Sequence, residues 1–282
     1  MLKRILNFLI FSNIYVAIPV SFLVFQSTQI NNVPFDFVLL LFVYSSTLLV
    51  YNYHRTQGLN NILKSDLSLR ILWAIDNIRL LKTLVVLSFI VSLVSAIFIA
   101  GKMLYLMPVG LLTLGYVVPF IKVGKRFFRL RDIPGIKATL IAISVSYVTC
   151  VIPLIGQLEP GQIGLQFIER VFFILAITIP FDIRDMKFDG HSNLKTLPII
   201  LGVKKSKIGA VVLVWFSIGL SCLIDVHYSN ELVILYAKIA SAFITSAIIL
   251  KSNENSSEYY YSFLVEGTMI IQTILIVAAL TL

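Results

Sequence analysis

The sequence predicts an all-α integral membrane protein, in which about nine transmembrane helices form a single domain over residues 1–282. Composition is the first observation behind this prediction, since 58% of the residues are hydrophobic, 13% are charged, and the mean hydropathy is +0.93. Soluble domains carry about twice that share of charged residues. The second observation is a series of long apolar segments, and the third is the one-sided placement of the basic residues between them.

Each of the apolar segments is long enough for a helix that crosses about 30 Å of hydrocarbon. In chain order they cover residues 5–26, 33–51, 80–100, 104–121, 136–155, 166–183, 208–225, 232–250 and 262–282. Long links at about 52–79, 122–137 and 184–207 separate some of them, whereas the links on the opposite side of the membrane are short. Because binding residues concentrate on long connections, we expect function on the side of the long links.

Basic residues orient the predicted helices. Of the 23 Lys and Arg residues, all but Lys102, Arg170 and Lys238 fall on the side of the long links and of the N-terminus. The positive-inside rule makes that side cytoplasmic, and a bacterial inner membrane is the simplest location. The net charge of +9 then predicts affinity for anionic lipid and argues against nucleic acid as a partner. We expect Lys238 to extend toward the outer headgroups.

The longest link contains an amphipathic pattern. Apolar residues recur near helical spacing between charged ones over residues 61–81. We interpret this stretch as a helix that lies at the membrane interface and partly covers any opening of the helical domain on that side. A plain surface helix without a capping role is the alternative.

Three aspartates mark the cytoplasmic end of the sixth apolar segment. Asp182, Asp185 and Asp189 are spaced i, i+3 and i+7, so they share one face of a helix. Mg²⁺ prefers carboxylate and phosphate oxygens, and such a face could hold it beside a phosphorylated substrate. The alternative is a solvated acidic helix end in which the carboxylates pair with Arg184 and Lys187.

The surroundings of these aspartates resemble the second aspartate motif of the UbiA superfamily of intramembrane prenyltransferases. The resemblance rests on the aspartates, on Gly190 and on the sequences Thr196–Pro198 and Leu201–Gly202 that follow. It extends to the basic link 122–137, with Tyr116, Pro119, Pro134 and Gly135, which is similar to the family's connection between the fourth and fifth helices. The resemblance implies nine helices around a central cavity, with Mg²⁺ holding a prenyl diphosphate at its cytoplasmic mouth.

The first aspartate motif of that family is altered here. At the end of the second helix the family has an asparagine followed by aspartates, whereas this chain keeps Asn52 and continues with His54 and Arg55. Arg and Lys donors can also stabilise a departing diphosphate. We therefore hypothesise that Arg55, with His54 and Asn52, contacts diphosphate directly; the alternative is that Arg55 and His54 only mark the membrane boundary.

Other polar residues complete the predicted site. The resemblance implies diphosphate contacts from the basic link, and polar residues at membrane depth are functional candidates by default. Asn13 could instead form an interhelical hydrogen bond, and Glu266 could pair with a nearby lysine. The predicted catalytic residues are Asp182, Asp185, Asp189, Arg55 and Lys122, and the predicted substrate contacts are Asn52, His54, Tyr116, Arg126, Lys137, Asn13 and Glu266.

The leading functional prediction is an intramembrane prenyltransferase with Mg²⁺ as cofactor. It would ionise a prenyl diphosphate and transfer the prenyl group to an aromatic or other lipophilic acceptor, with the lipid bilayer as its surroundings and no protein partner implied. A terpene cyclase of the same superfamily and a non-catalytic lipid-binding relative are the alternatives. A transporter is less favoured, because the sequence shows neither clear broken helices nor paired charges at mid-membrane.

Overall fold

A computed structural model describes residues 2–59, 68–124, 126–191, 195–228 and 232–281. Within these ranges, all side chains are described except those of Leu2, Val123, Arg126, Lys187, Phe188, Asp189 and His191.

The predicted all-α membrane fold is confirmed. Eight helices of the described ranges are long and apolar enough to cross a membrane, and a bent pair at the start of the chain would make a ninth span. The first helices are α1 (Leu2–Phe11), α2 (Ile14–Ile30), α3 (Phe37–Gly58), α4 (Leu69–Asp76), α5 (Ile78–Phe98) and α6 (Met103–Val117). The others are α7 (Ile136–Ser146), α8 (Ile152–Leu154), α9 (Pro160–His191), α10 (Leu197–Leu201), α11 (Val203–Tyr228), α12 (Leu232–Lys251) and α13 (Gly267–Leu280).

The first predicted span is broken rather than continuous. The axes of α1 and α2 meet at 64°, and the break falls at Ser12 and Asn13. Asn13 has a φ of 60°, in the left-handed region that asparagine tolerates better than most residues. The apolar run across residues 5–26 hid this break, because hydropathy does not register a change of backbone direction.

The chain divides into two compact units, and α2 passes from one into the other. The first unit consists of Met1–Phe22 and Asp36–Leu104, and the second of Leu23–Phe35 and Tyr105–Leu282. In the first unit α3 packs along α5, where the hydroxyl of Ser92 donates to that of Ser45 at 2.9 Å. Small hydroxyl residues of this kind let membrane helices approach closely and hydrogen-bond.

The amphipathic helix predicted in the long link is present as α4, although residues 60–67 lie outside the described ranges. The Ser68 side chain caps it by accepting from the backbone N–H of Ile71. Leu69, Leu72 and Ile75 are exposed on its surface, as expected of a helix that rests on lipid. Its Trp73 ring contacts Phe11 of α1, so the two interfacial elements of the first unit support each other.

The second unit is built around α9. One buried cluster joins Phe173, Ile174 and Ile177 of α9 to residues of α2, α7 and the start of the last span. A second cluster joins Ala176, Ile179 and Ile183 to residues of α11 and α12. Two faces of α9 are therefore buried, which fixes the rotation of the helix that carries the aspartates.

Side chains complete the hydrogen bonding of an irregular helical turn in the second unit. The helix that begins as α7 widens into a π-helical turn over Tyr147–Val151 and continues into α8, where Pro153 has no N–H to give to the carbonyl of Thr149. That carbonyl accepts instead from the Ser27 hydroxyl at 2.7 Å and from the Arg170 guanidinium at 2.9 Å. Arg170 also donates to the carbonyl of Leu23 at 3.0 Å. Ser27 and Arg170 thus supply donors to the Thr149 carbonyl, which hydrocarbon would leave without one.

Lys238 does not extend to the headgroups as expected. It is buried, with its Nζ atom 3.0 Å from the Ser221 hydroxyl and 3.4 Å from Glu169 Oε1. Ser221 also donates to Glu169 at 3.2 Å. The prediction was wrong because Lys238 of α12 lies beside the carboxylate of Glu169 on α9, and this pairing removes the need to reach water.

This buried ion pair should behave as a unit when it is mutated. We expect Lys238→Met alone to lower the free energy of unfolding by about 3–5 kcal/mol, because Glu169 would remain buried without its counter-ion. The double variant Glu169→Gln, Lys238→Met should recover most of that loss. Thermal unfolding of the purified protein in detergent measures both, and a double variant as unstable as the sum of the single ones would contradict the interpretation.

Candidate active site

The aspartates lie at the end of the longest helix in the described ranges. With 32 residues, α9 is about 48 Å long, which exceeds the hydrocarbon thickness. Asp182 is buried and Asp185 is half-buried near its C-terminal end. The side chain of Asp189 lies outside the described residues, so its predicted role stays a prediction.

Asp182 is engaged by a lysine from another helix. The Nζ atom of Lys137 lies 3.2 Å from Asp182 Oδ1. Lys137 occupies the first turn of α7, which begins after Gly135 with a φ of 75° that suits glycine. The backbone N–H of Gly135 donates to the carbonyl of Lys195 at 3.0 Å, which ties this turn to the segment after the aspartates. The predicted basic link and the predicted aspartate helix therefore meet at one ion pair.

Asp185 is engaged by its neighbour in sequence. Arg184 places Nε at 2.8 Å from Asp185 Oδ1 and Nη2 at 3.1 Å from Asp185 Oδ2. Its Nη1 atom donates to Glu258 at 3.3 Å, and its guanidinium lies over the rings of Phe181 and Tyr261 at 5.1 and 5.5 Å from their centroids. The alternative reading of the sequence, in which Arg184 pairs with the carboxylates, is therefore realised at Asp185.

The donors at this end of α9 suit a hard cation in chemistry. No three His, Cys, Asp or Glu side chains in the described part of the chain converge into a metal cluster. Asp182 and Asp185 nevertheless supply carboxylate oxygens on one helix face, and Mg²⁺ commonly takes one or two carboxylates and completes its shell with phosphate and water. These residues fit Mg²⁺ when a diphosphate contributes the remaining ligands.

The basic link folds into a short hairpin that the sequence did not predict. Strands β1 (Ile121–Val123) and β2 (Arg126–Phe128) pair antiparallel, with Gly124 at the turn in a left-handed conformation. Lys122 is exposed on this hairpin, and the side chain of Arg126 lies outside the described residues. Both predicted diphosphate contacts therefore stay predictions.

Tyr116 faces arginine at the base of the hairpin. The Arg131 guanidinium lies 5.4 Å from the centroid of its ring. Arg129 holds Asp132 through its side chain at 3.0 Å and through its backbone N–H at 2.9 Å. Burial raises the pKa of Asp132, but these hydrogen bonds and the charges of Arg129 and Arg131 outweigh it and leave that pKa below its ordinary value. The turn after the hairpin is thus fixed by an ionised carboxylate.

Residues at the position of the first aspartate motif form hydrogen bonds to the chain at the break between α1 and α2. In the first unit, Asn13 donates through Nδ2 to Asn52 Oδ1 at 2.9 Å, and Asn52 donates to the carbonyl of Ser12 at 2.9 Å. Arg55 donates to the carbonyl of Phe11. Asn13 therefore makes the interhelical hydrogen bond that was the alternative to a substrate contact, and Arg55 has a backbone partner in addition to any ligand.

The remaining predicted residues are distributed over both units. His54 is partly buried on α3 in the first unit, with Asn13, Asn52 and Arg55. Glu266 is buried near the start of the last span in the second unit, where its charge acts on Arg184. The substrate contacts of His54 and Glu266 stay predictions.

Sequence reasoning did not include Arg184, Glu258 or Tyr261 among the site residues. Arg184 was visible in the motif but was treated only as a competing partner for the aspartates. Glu258 and Tyr261 lie more than 70 residues away on the link into the last span, and no local pattern singles them out. The run of three tyrosines at 259–261 was the available signal.

Comparisons with known proteins identify the fold. No protein-family model and no curated protein sequence matches the chain. A solved structure of a UbiA homologue from Archaeoglobus fulgidus bound to GPP and Mg²⁺ is 16% identical with a TM-score of 0.66, and the match covers 98% of this chain and 99% of the homologue.

Two further solved structures agree. A UbiA homologue from Aeropyrum pernix K1 without ligand is 13% identical with a TM-score of 0.65, over 93% of this chain and 97% of the homologue. A structure of digeranylgeranylglyceryl phosphate synthase is 17% identical with a TM-score of 0.59, over 99% of this chain and 100% of the synthase. The resemblance to the UbiA superfamily predicted from the motifs is confirmed at the level of the fold.

The contacts of Asn52 generate a stability prediction. Replacing Asn52 with Leu leaves the carbonyl of Ser12 and the amide of Asn13 without these partners, and each buried unsatisfied group costs about 1–3 kcal/mol. We expect Asn52→Leu to lower the unfolding temperature clearly, as measured by thermal unfolding in detergent. Gln57→Leu, on an exposed position of the same helix, is the control and should have little effect. Equal unfolding temperatures for the two variants would show that the hydrogen bonds of Asn52 do not stabilise the break.

Proposed function

We propose that this chain is a UbiA-superfamily prenyltransferase of the membrane, which ionises a prenyl diphosphate with Mg²⁺ and transfers the prenyl group to an aromatic or other lipophilic acceptor. The observation that carries the proposal is the placement of Asp182 and Asp185 beside Lys137 and Arg184 at the end of α9. A UbiA homologue with the same fold binds GPP and Mg²⁺. That likeness supports a prenyl diphosphate as the substrate.

The proposed reaction breaks the bond between the first carbon of the prenyl chain and the diphosphate oxygen. Both bonding electrons leave with the diphosphate, and the allylic cation then alkylates the acceptor, which loses a proton. Mg²⁺, when bound, neutralises negative charge on the departing diphosphate. Asp182 and Asp185 are the residues that would hold it.

Protein cations share the work of stabilising the leaving group. Lys137 already lies at the aspartate face, and an ammonium there can donate to diphosphate oxygens. The predicted contact of Lys122, which is exposed on the hairpin, would add positive charge. Arg55 and His54 stay predicted diphosphate contacts within the first unit. Because no aspartate remains in the first motif, we place the metal on the α9 side alone.

The second candidate function is a non-catalytic relative that binds anionic lipid. It is favoured by the ion pairs themselves, because a carboxylate that already has a protein cation has less need of a metal. A prenyl diphosphate or a phospholipid headgroup would then be held by Lys137 and the basic hairpin without ionisation. The terpene cyclase alternative has no particular structural observation in its favour.

The transporter alternative needs a correction. Paired charges and broken helices are not evident in the sequence, yet the Glu169–Lys238 pair and the broken span of α1 and α2 are both present. The charges of the pair contact each other and Ser221, and the carbonyls at the break accept from Asn52 and Arg55. Saturated contacts of this kind favour a structural role over a path for ions.

Localisation follows from the same proposal. The eight membrane-crossing helices of the described ranges establish a multi-pass integral membrane protein. We propose a bacterial inner membrane, with the N-terminus and the aspartate end of α9 on the cytoplasmic side, because the basic residues concentrate there.

The decisive test is release of diphosphate by the purified protein. We expect Mg²⁺-dependent release from prenyl diphosphates of at least one chain length, in the presence of a membrane lipid extract as a source of acceptors. Asp185→Asn should reduce the rate by roughly 100-fold or more, because charge stabilisation of a leaving group is worth about that factor. Glu254→Gln, an exposed acidic residue on the link that also carries Glu258, is the matched control.

Two outcomes would contradict the proposal. Release that persists in Asp185→Asn would remove the aspartate face from catalysis. No release with any chain length, with or without the extract, would favour the non-catalytic lipid binder. Product analysis without an acceptor separates transfer from cyclisation.

A further inference from the structure

On the aspartate face of α9, the two aspartates whose side chains are described, Asp182 and Asp185, are each paired with a protein cation. Lys137 Nζ lies 3.2 Å from Asp182 Oδ1, and Arg184 forms two hydrogen bonds to the oxygens of Asp185 at 2.8 and 3.1 Å. The Asp182 side chain is only 4% exposed, so its charge is poorly screened and its interaction with Lys137 is strong. A divalent cation that approached Asp182 would meet an ammonium already in place.

The two protein cations differ in how firmly they are held. The planar guanidinium of Arg184 is fixed on every side, by Asp185, by Glu258 and by the rings of Phe181 and Tyr261. Lys137 presents a compact charge on a flexible four-carbon stem, which can turn to a new acceptor without disturbing its backbone. Its side chain is 16% exposed, so it has access to a ligand at this face. Lys137 is thus the cation that can exchange.

Exchange requires a new acceptor for the ammonium. If Lys137 moved away from Asp182, its partly buried positive charge would lose this ion pair, which is costly. A diphosphate offers several anionic oxygens that can accept from Lys137 while Asp182 turns to a metal. The diphosphate therefore removes the cost that otherwise opposes metal binding.

We propose that Lys137 is a resident counter-cation of Asp182, which makes the binding of a divalent metal and of a diphosphate mutually dependent. Asp182 holds Lys137 when the site is empty and exchanges it for the metal only when a diphosphate accepts the ammonium. The identity of the diphosphate as a prenyl diphosphate rests on the proposed function above. The exchange itself rests on the ion pairs of the second unit.

Mutual dependence has a defined thermodynamic form. If a diphosphate tightens metal binding by some factor, the metal tightens diphosphate binding by the same factor. Couplings of this kind are typically about 5–150-fold. Removing the charge of Lys137 should raise the affinity of the empty site for a metal, lower the affinity for diphosphate and reduce the coupling between them.

Electron paramagnetic resonance of Mn²⁺ reports metal binding without turnover. The full-length protein in nanodiscs is titrated with Mn²⁺ alone and with geranyl thiolodiphosphate, an analogue that ionises slowly. For the unmodified protein, the analogue should tighten Mn²⁺ binding at least fivefold. Lys137→Met should bind Mn²⁺ alone at least fivefold more tightly than the unmodified protein and should show little further effect of the analogue.

Two additional variants control the experiment. Lys137→Gln keeps a hydrogen-bond donor beside Asp182 without the charge, and should behave like Lys137→Met if that variant folds poorly. Lys205→Met removes an exposed charge at the start of α11 and should leave the coupling unchanged. A thermal unfolding curve for each variant verifies that it is folded.

The possible outcomes separate the counter-cation role of Lys137 from the proposed enzyme activity. Two results would contradict the proposed role of Lys137 as a counter-cation: tight Mn²⁺ binding by the unmodified protein without the analogue, or unchanged Mn²⁺ affinity in both Lys137 variants. If the Lys137 variants gain Mn²⁺ affinity but geranyl diphosphate is never ionised, the counter-cation stands and the proposed enzyme activity fails. If turnover requires Mg²⁺ but Lys137 does not affect the metal, the activity stands and the counter-cation fails.

Discussion

A bilayer offers no water to a charged side chain or to a backbone carbonyl that has lost its helical partner, and the polar interior of this protein follows from that constraint. Arg170 donates to the carbonyl that Pro153 leaves without an N–H donor, and Lys238 pairs with Glu169. In the first unit, Asn52 and Arg55 do the same for the break after α1. At both of these irregular sites, a side chain from another helix supplies the missing hydrogen bond.

The aspartate end of α9 obeys the same constraint under a different demand. A site for a highly charged ligand must carry charges that are useful when the ligand is present and tolerable when it is absent. Pairing Asp182 with Lys137 and Asp185 with Arg184 meets both conditions, because opposite charges stabilise each other at the membrane edge. The two buried faces of α9 fix its rotation, and its length of 32 residues carries these ion pairs to the end of the helix.

Sequence patterns predicted the helices, the aspartate face and the family resemblance, because hydropathy and helical spacing are local properties. They did not predict the pairing of Lys238 with Glu169, which lie 69 residues apart, because a partner on another helix leaves no local signal. A continuous apolar helix also does not reveal which of its faces meets lipid, as for Cys222, which is exposed on α11. The break at Asn13 and the hairpin at Gly124 escaped for a related reason: backbone turns within apolar or basic runs are invisible to hydropathy.

The break after α1 also sets the reach of the first membrane crossing. Its 17 residues make α2 about 26 Å long, a few ångströms less than the roughly 30 Å of an average hydrocarbon layer. At 64° to α2, the 10 residues of α1 add only about 7 Å along that direction, roughly half of what a straight continuation would add. The broken span therefore just covers an average hydrocarbon layer and keeps little spare length for a thicker one.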